Sequence, residues 1–249
     1  MKNKTYSLID KLEQTHSLEI SEYEYLLANY CNEVYEYAKE KAAKKANAVY
    51  GKKVYIRGLI EISNYCKNDC YYCGIRKSNK NAERYRLTKE EILSCCEIGY
   101  KLGFRTFVMQ GGEDAYFSDE VMTDIISEIK SLYPNCAVTL SLGERTKESY
   151  QKLFDAGADR YLLRHETANK EHYAMLHPKR MSYDERIKCL HNLKEIGFQV
   201  GCGFMVGSPY QTVSHLAKDL KFIEVFQPDM CGVGPYIRHA DTPLSLIHI

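Results

Sequence analysis

The sequence predicts an α/β fold: a parallel (β/α) barrel of about six units, preceded by an N-terminal helical extension. Two patterns carry this. Six short β-branched or apolar runs, at 54–62, 106–110, 138–142, 160–164, 199–206 and 230–235, alternate with five amphipathic stretches of helical length, at 89–102, 119–132, 147–156, 183–196 and 212–226. Three of those stretches also end in glycine (Gly103, Gly157 and Gly197), the position where a left-handed residue leads out of a helix into the next strand.

Taken in order, the first fifty residues read as helical. Leu8, Leu12, Leu18, Ile20, Leu26 and Leu27 fall at mixed spacings of three and four, and the charged segment YAKEKAAKKANAVYG stops at Gly51. Its lysines, Lys39, Lys41, Lys44 and Lys45, read as a solvated face. We therefore divide the chain into an extension over 1–50 and a barrel over 51–249. Thr88 with Glu91, and Ser182 with Glu185, have the spacing of capping boxes at two helix starts. Strands alternating with helices of this length form right-handed parallel βα units. An open doubly wound sheet is the alternative. A complete TIM-type barrel has eight strands. Six are legible here, so the barrel is expected to be incomplete, with an open edge exposing unpaired strand groups and apolar surface.

Composition narrows the function. Thirty-four Lys and Arg against 33 Asp and Glu give a net charge of +1, without the basic excess of a nucleic-acid binder. No apolar run reaches the roughly 18 residues that span a bilayer, and the N-terminus lacks the apolar centre of a signal peptide. A cytoplasmic protein with neither nucleic-acid nor membrane partners is expected. Ten cysteines in a reducing compartment favour metal ligation or buried thiols over disulfides. Seven of them (Cys31, Cys95, Cys96, Cys136, Cys189, Cys202 and Cys231) are scattered and read as small buried hydrophobes.

The other three are not scattered. Cys66, Cys70 and Cys73 lie in NYCKNDCYYCG directly after the first predicted strand. Thiolates at positions 1, 5 and 8 of a tight loop can wrap one corner of an iron–sulfur cubane, and three ligands leave one iron open for chemistry. A structural zinc would need a fourth ligand, and no CxxC or HxxxH partner follows. A CxxxCxxC loop after the first strand of a βα barrel resembles the signature of the radical S-adenosylmethionine (SAM) superfamily. The resemblance implies a 4Fe–4S cluster whose open iron chelates SAM, which is cleaved reductively to a 5′-deoxyadenosyl radical. Such a radical needs an enclosed site, which a barrel mouth supplies.

Further residues fit around this loop. The second strand ends in QGGED, where Gln110, Gly111, Gly112 and Glu113 resemble the superfamily's GGE motif for the SAM amino group; a plain glycine turn is the alternative. On the third strand Thr139 and Ser141 share one face. On the fourth, Arg160, Leu162 and Arg164 share a face, with Glu166 at its end. Buried arginines need anionic partners: the SAM carboxylate, Glu166 or a substrate carboxylate. A structural Arg–Glu pair also satisfies them. Arg186, on the following helix, has the reach for the SAM carboxylate. Tyr72 packs on adenine or in the core. His165, His177 and His239 near loop ends read as satisfied polar groups or surface residues.

Several stretches together resemble one family within the superfamily: HydE, the radical SAM maturase of FeFe-hydrogenase. They are SNYCKNDCYYCGIRKSNKN, MQGGEDAY, VTLSLGE, GADRYLLRHETAN, LHPKRMSYDERIKCL, GCGFMVGSPYQT and GVGPYIRHADTPL. RHETAN and GFMVGSPYQT separate this family from biotin synthase and methylornithine synthase. The resemblance implies that Cys66, Cys70 and Cys73 ligate the cluster and that Ser141, Glu166 and Arg186 contact SAM. By the same resemblance Gln110 to Glu113 line the amino group, and Thr139, Arg160 and Leu162 face the inner substrate cavity. It implies a small organometallic or cysteine-derived substrate in assembly of the diiron centre, other hydrogenase maturases as partners, and a one-electron reductant such as ferredoxin or flavodoxin. Two departures stand out. Arg238-His239-Ala240 replaces the family's Pro-His-Pro, and the family continues beyond the tail SLIHI to supply the last two strands. A fragment lacking that C-terminal part is expected.

Overall fold

A computed structural model describes residues 2–246; residues 247–249 of the tail lie outside the described residues. Three helices form the extension: α1 (Lys2–Thr15), α2 (Ile20–Ala28) and α3 (Asn32–Tyr50). The barrel follows as β1 (Gly58–Ser63), α4 (Lys89–Lys101), β2 (Thr106–Gly111), α5 (Asp119–Leu132), β3 (Ala137–Ser141), α6 (Lys147–Asp155), β4 (Arg160–Leu162), α7 (Lys170–Leu176), α8 (Tyr183–Ile196), β5 (Gln199–Val206), α9 (Val213–Phe226) and β6 (Met230–Pro235). A 3-10 turn at Pro243–Leu246 ends the described chain.

All six strands are parallel and pair in chain order, β1 through β6, with β1 and β6 as the two edges. The expected six strands are present, five of them followed by a helix among the described residues, and the sheet is an open, incomplete barrel. Register levels run across it: Leu59, Val108, Thr139, Arg160 and Gln199 lie side by side, and two residues further on come Glu61, Gln110, Ser141, Leu162, Gly201 and Met230. Residues of alternate parity, among them Ile60, Met109, Leu140, Tyr161 and Val200, are buried against the helices in one continuous core. The side-chain period of two therefore turns Gln110, Thr139, Ser141 and Leu162 to the concave face.

Helix starts are set by side-chain caps. Thr88, Ser118, Thr146, Asn169, Ser182 and Thr212 each accept from a backbone N–H three residues on, an arrangement that contributes about 1 kcal/mol apiece. Gly103, Gly157 and Gly197 have φ of 93°, 109° and 110°, as the C-terminal glycines require. Thr88 and Glu91 form the expected reciprocal box. Ser182 and Glu185 make only half of one: Ser182 caps Glu185 N–H, while the Glu185 carboxylate pairs with Lys188.

Other boundaries differ from expectation for physical reasons. Residues 54–57 continue the apolar run but lie outside β1, because β1 is an edge strand and its first paired residue is Gly58. Val54, Tyr55 and Ile56 are exposed. The fourth strand is three residues long rather than five, since the chain turns out of the ladder before Glu166, whose φ is 65°. Helix α7 was not expected from periodicity; Asn169, which caps it through His172 N–H at 2.8 Å, was its available signal.

The extension packs on the outside of α9. Leu18 and Tyr23 bury against Ala217 and Leu220. Glu224 gathers Ser17 Oγ (2.7 Å), Leu18 N (3.2 Å), Tyr23 Oη (3.1 Å) and Lys221 Nζ (2.6 Å). This seam is the polar lock between extension and barrel.

Candidate radical SAM site

The site lies at the C-terminal ends of the strands, where parallel barrels place their chemistry. The loop after β1 carries Cys66, Cys70 and Cys73, all partly buried. Its shape is held by groups other than sulfur. The Arg84 guanidinium donates to the carbonyls of Asn64, Ile75 (2.9 Å), Arg76 (2.7 Å) and Asn79 (3.1 Å). Asn79 Nδ2 donates to Gly74 O at 2.7 Å, Lys77 N to Asn68 O at 2.8 Å, and Asp69 accepts from Ser78 and pairs with Arg76. Behind the loop, Tyr71 N bonds Leu176 O (3.0 Å) and Leu244 N bonds Tyr71 O (3.2 Å), so α7 and the segment after β6 back it on one side.

The GGE turn supports the other side. A Cβ on Gly112 would stand 2.1 Å from Tyr65 O and 2.7 Å from Cys66 Cβ, so only glycine lets this turn touch the cysteine loop. Glu113 bridges two neighbouring loops. Its Oε1 accepts from Glu144 N–H at 3.0 Å, its Oε2 lies 3.0 Å from Lys67 Nζ, and it fills the space left by Gly143, where φ is 75°. It acts as a strut between loops. Asp114 adds a second, accepting from Ser63 Oγ (2.7 Å) and from Arg86 through two bonds of 2.6 and 2.9 Å.

Cys70 and Cys73 are largely withdrawn from solvent. Cys70 Sγ is 3.6 Å from Met181 Sδ, and burial pushes its thiol up to about 12, with the neighbouring Cys73 adding to the effect. Burial raises Cys73 too. These cysteines thus hold thiolate charge only against a bound cation, as expected of metal ligands. Among the described residues no three His, Cys, Asp or Glu side chains converge as a single ion requires. A cubane asks something else, one iron per thiolate.

Glu166 approaches the loop from the end of β4. Its charge acts on Cys70, Cys73 and Tyr72. A left-handed φ of 65° is costly for a non-glycine residue and is held by neighbours: Glu166 N donates to Gly203 O (3.0 Å), Met205 N donates to Glu166 O (3.3 Å), and Asp219 accepts from Ala168 N at 2.5 Å. Glu166 Oε2 is buried without a hydrogen bond, as are Arg164 Nε and Nη2 and Thr139 Oγ1. Arg164 Nη2 lies 3.4 Å from Glu166 Oε2. Buried polar groups are normally satisfied, so an unsatisfied acid and guanidinium at the C-terminal end of β4, with an unsatisfied hydroxyl two residues below Ser141 on the concave face, ask for a polar ligand. An ammonium–carboxylate–sulfonium molecule fits that set.

The remaining sequence candidates divide. Arg186 is buried and committed to Glu144 (2.5 Å) and to Arg164 O (2.9 Å), so its guanidinium braces the β4 end. Tyr72 donates its hydroxyl to His177 Nε2 at 3.1 Å, because His177 Nδ1–H is used on Tyr173 O at 2.9 Å; its ring packs with Leu176, Met205 and Leu244. Leu162 Cδ1 occupies the space beside Gly201. Arg160 is not brought to the cysteine end. As the first residue of β4 it sits at the strands' N-terminal rim, where Gln199 Oε1 (2.6 Å) and Thr106 Oγ1 (3.2 Å) take its donors. It borders a cavity of about 660 Å³ there with Lys52, Lys53, Arg57, Arg105 and Asp229. Of the cautious histidines, His165 is fully buried beside Asp219 (3.4 Å) and His239 stacks into the space left by Gly74. Arg84, Asp114 and Glu144 were missed, since a lone charged residue in a loop has no spacing signal.

The pattern of the radical SAM superfamily matches residues 60–223, about two-thirds of the chain and the whole of this site. The chain belongs to the radical SAM superfamily. The cofactors of that superfamily are a 4Fe–4S cluster and SAM, which accounts for both the cysteine loop and the unsatisfied polar set. The [FeFe] hydrogenase maturase subunit HydE of Thermotoga maritima is 49% identical over 195 residues, covering 78% of this chain and 55% of that protein. A 3-methylornithine synthase of Methanosarcina acetivorans is 29% identical over 207 residues, covering 82% of this chain and 58% of the relative. The chain thus spans just over half the length of these two relatives. Among solved structures, methylornithine synthase (PylB) superposes with a TM-score of 0.88 at 26% identity, over 96% of this chain and 71% of that one. HydG, a maturase of the [FeFe]-hydrogenase, gives 0.80 at 26%, over 97% and 56%. This radical SAM chain therefore shares the barrel of methylornithine synthase and HydG, and of these two sequence relatives it is more similar to HydE.

Proposed function

We propose that this chain carries the reductive SAM-cleaving site of a HydE-type enzyme that acts in the cytoplasm in assembly of the diiron centre of FeFe-hydrogenase. The supporting observation is the 49% identity to HydE across the segment that holds the cysteine loop, the GGE turn and the RHETAN strand end. The substrate in this reading is a small organometallic or cysteine-derived molecule, and the partners are other hydrogenase maturases and a one-electron carrier.

Cys66, Cys70 and Cys73 hold three corners of the cluster, which when bound supplies one electron to the sulfonium of SAM and so the chemistry of carbon–sulfur homolysis. Glu166 and Arg164 bind the charged ends of SAM. Gln110 and Ser141, level with one another on the concave face, orient it from below. Gly111 and Gly112 admit backbone close to the loop. Arg186 fixes the β4 end through Glu144 and the Arg164 carbonyl. Tyr72, Leu176, Met205 and Leu244 exclude water from one flank. Thr139 offers an unpartnered hydroxyl deeper on the concave face, and Leu162 narrows it; Arg160 closes the lower rim.

Anaerobic reconstitution followed by dithionite and SAM tests this. Stoichiometric iron and sulfide and release of 5′-deoxyadenosine are expected, both lost in Cys70→Ala; stoichiometric zinc instead of iron would overturn it. The TM-score of 0.88 to methylornithine synthase favours a second reading, an amino-acid substrate. Consumption of lysine by the loaded enzyme would select that reading.

A further inference from the structure

We propose that the outer face of the cysteine loop is the docking surface for an acidic one-electron carrier protein; this deepens the radical SAM reading above and rests on it. A cluster held by this loop needs one electron per turnover from outside, and the carrier has to come close to a ligand sulfur. The flank at Cys66 offers that approach. Cys70 is packed against Met181, and Tyr72 stands behind the loop with Leu176 and Leu244. Cys66, by contrast, borders a surface cavity of about 370 Å³, whose other walls include Lys67, Lys77, Arg84 and Arg86.

That flank is basic out of proportion to the chain. Between residues 64 and 86, six cations (Lys67, Arg76, Lys77, Lys80, Arg84, Arg86) face two anions (Asp69, Glu83), an excess of four in a chain whose total is +1. Glu113 and Asp114 pair with Lys67 and Arg86 and lower the excess to two. The exposed Lys179 and Arg180 restore it, Arg180 being tied to this loop through Lys67 O. Much of this charge has internal work: Arg84 staples carbonyls, and Arg76 and Arg86 hold Asp69 and Asp114. Lys77 and Lys80 have none. Both are exposed, and among the described residues neither ammonium group has a hydrogen bond or ion pair. Beside them Tyr65 and Tyr116, both exposed, flank the Arg86 guanidinium, with ring centroids 3.9 and 5.2 Å away. Aromatic and arginine surface on a loop that also carries two unpaired lysines is the composition of a transient interface that selects an acidic partner and steers its approach. The transfer is a single electron: the carrier's reduced centre is oxidised by one electron, the cluster is reduced by one, and no atom moves.

The test uses anaerobic, cluster-loaded enzyme and a reduced flavodoxin of net negative charge, with cluster reduction followed by stopped-flow absorbance and complex formation by titration. In Lys77→Glu/Lys80→Glu the second-order rate at low ionic strength is expected to fall about tenfold or more, with weaker binding and a flatter salt dependence. Iron content and the rate with dithionite stay unchanged. The control Lys52→Glu/Lys53→Glu, at the opposite rim, leaves the flavodoxin rate unaltered. A loaded Lys77→Glu/Lys80→Glu enzyme with unchanged flavodoxin rate and binding, or an equal loss in the control, overturns the docking surface alone. Failure of the wild-type chain to take up iron and sulfide overturns the radical SAM reading and this inference with it.

Discussion

Replacing Gly112 by alanine is expected to unseat the cysteine loop. The added Cβ would lie 2.1 Å from Tyr65 O, whereas ordinary van der Waals contact begins at 3.4 Å, so one backbone must retreat by more than an ångström from the other. Neither side yields easily. The GGE turn is tied to β1 through Gly112 N–H to Ser63 O and to the cysteine loop through Lys67 N–H to Glu113 O, and the loop is stapled by Arg84. Overpacking of this kind costs about 1–3 kcal/mol in stability, which a core of this size tolerates. The functional loss is larger, because Cys66 Cβ itself is in the way at 2.7 Å. A misplacement of about 1 Å at a reacting centre lowers the rate roughly a hundredfold. Thermal unfolding, iron content after reconstitution and 5′-deoxyadenosine release separate the two effects. Gly112→Ala is expected to stay folded, bind less iron and cleave SAM about a hundredfold more slowly. Full iron content with cleavage within twofold of wild type would refute the proposed contact between turn and loop. Gly111→Ala, whose Cβ meets Ser63 O at 3.1 Å, should be much milder.

Glu166→Gly removes the left-handed strain, about 1–2 kcal/mol, together with the unsatisfied carboxylate, so urea unfolding is expected to show unchanged or greater stability while equilibrium dialysis shows weakened SAM binding; a variant that is less stable yet binds SAM normally contradicts the assignment. Asp219→Ala strips the buried partner from Ala168 N–H and His165, and a loss of about 3 kcal/mol in denaturant titration is expected, with SAM affinity falling as the β4 end relaxes; wild-type stability would show that the contact contributes nothing. Burial lowers His177 from 6.5 to about 3 and keeps it neutral in the folded protein. Between those values the unfolded chain binds the extra proton, so stability rises with pH across the window and is lost as pH falls from about 6.5 toward 3. His177→Gln should flatten that acid limb of the unfolding curve, and an unchanged slope would exclude His177 as its source.

Much of the barrel was readable because its signals are local. The strand runs at 199–206 and 230–235 and the helices at 119–132 and 183–196 coincide with β5, β6, α5 and α8, since the side-chain period is clear there and serine caps open both helices, with a terminal glycine closing α8. What escaped was decided by neighbours: residues 54–57 look like strand but have no strand to pair with, and β4 ends early because of the kink at Glu166. The same division runs through the site. Cys66, Cys70 and Cys73 announce themselves by spacing. Arg160 reads as a buried strand cation seeking an anion and Arg186 as a helix residue with the reach for the SAM carboxylate, yet register puts the first at the far rim and Glu144 pairs with the second. Arg84, which organises the loop, resembles any surface arginine until its four carbonyls are seen.

Arg84 also bears on what would remain of the loop after its metal was lost. Where the shape of a metal-binding loop is written in guanidinium–carbonyl bonds, damage that strips out the inorganic core leaves the scaffold's memory of that shape in place. Repair then becomes a matter of delivering iron and sulfide to a socket still formed, without refolding the polypeptide around them.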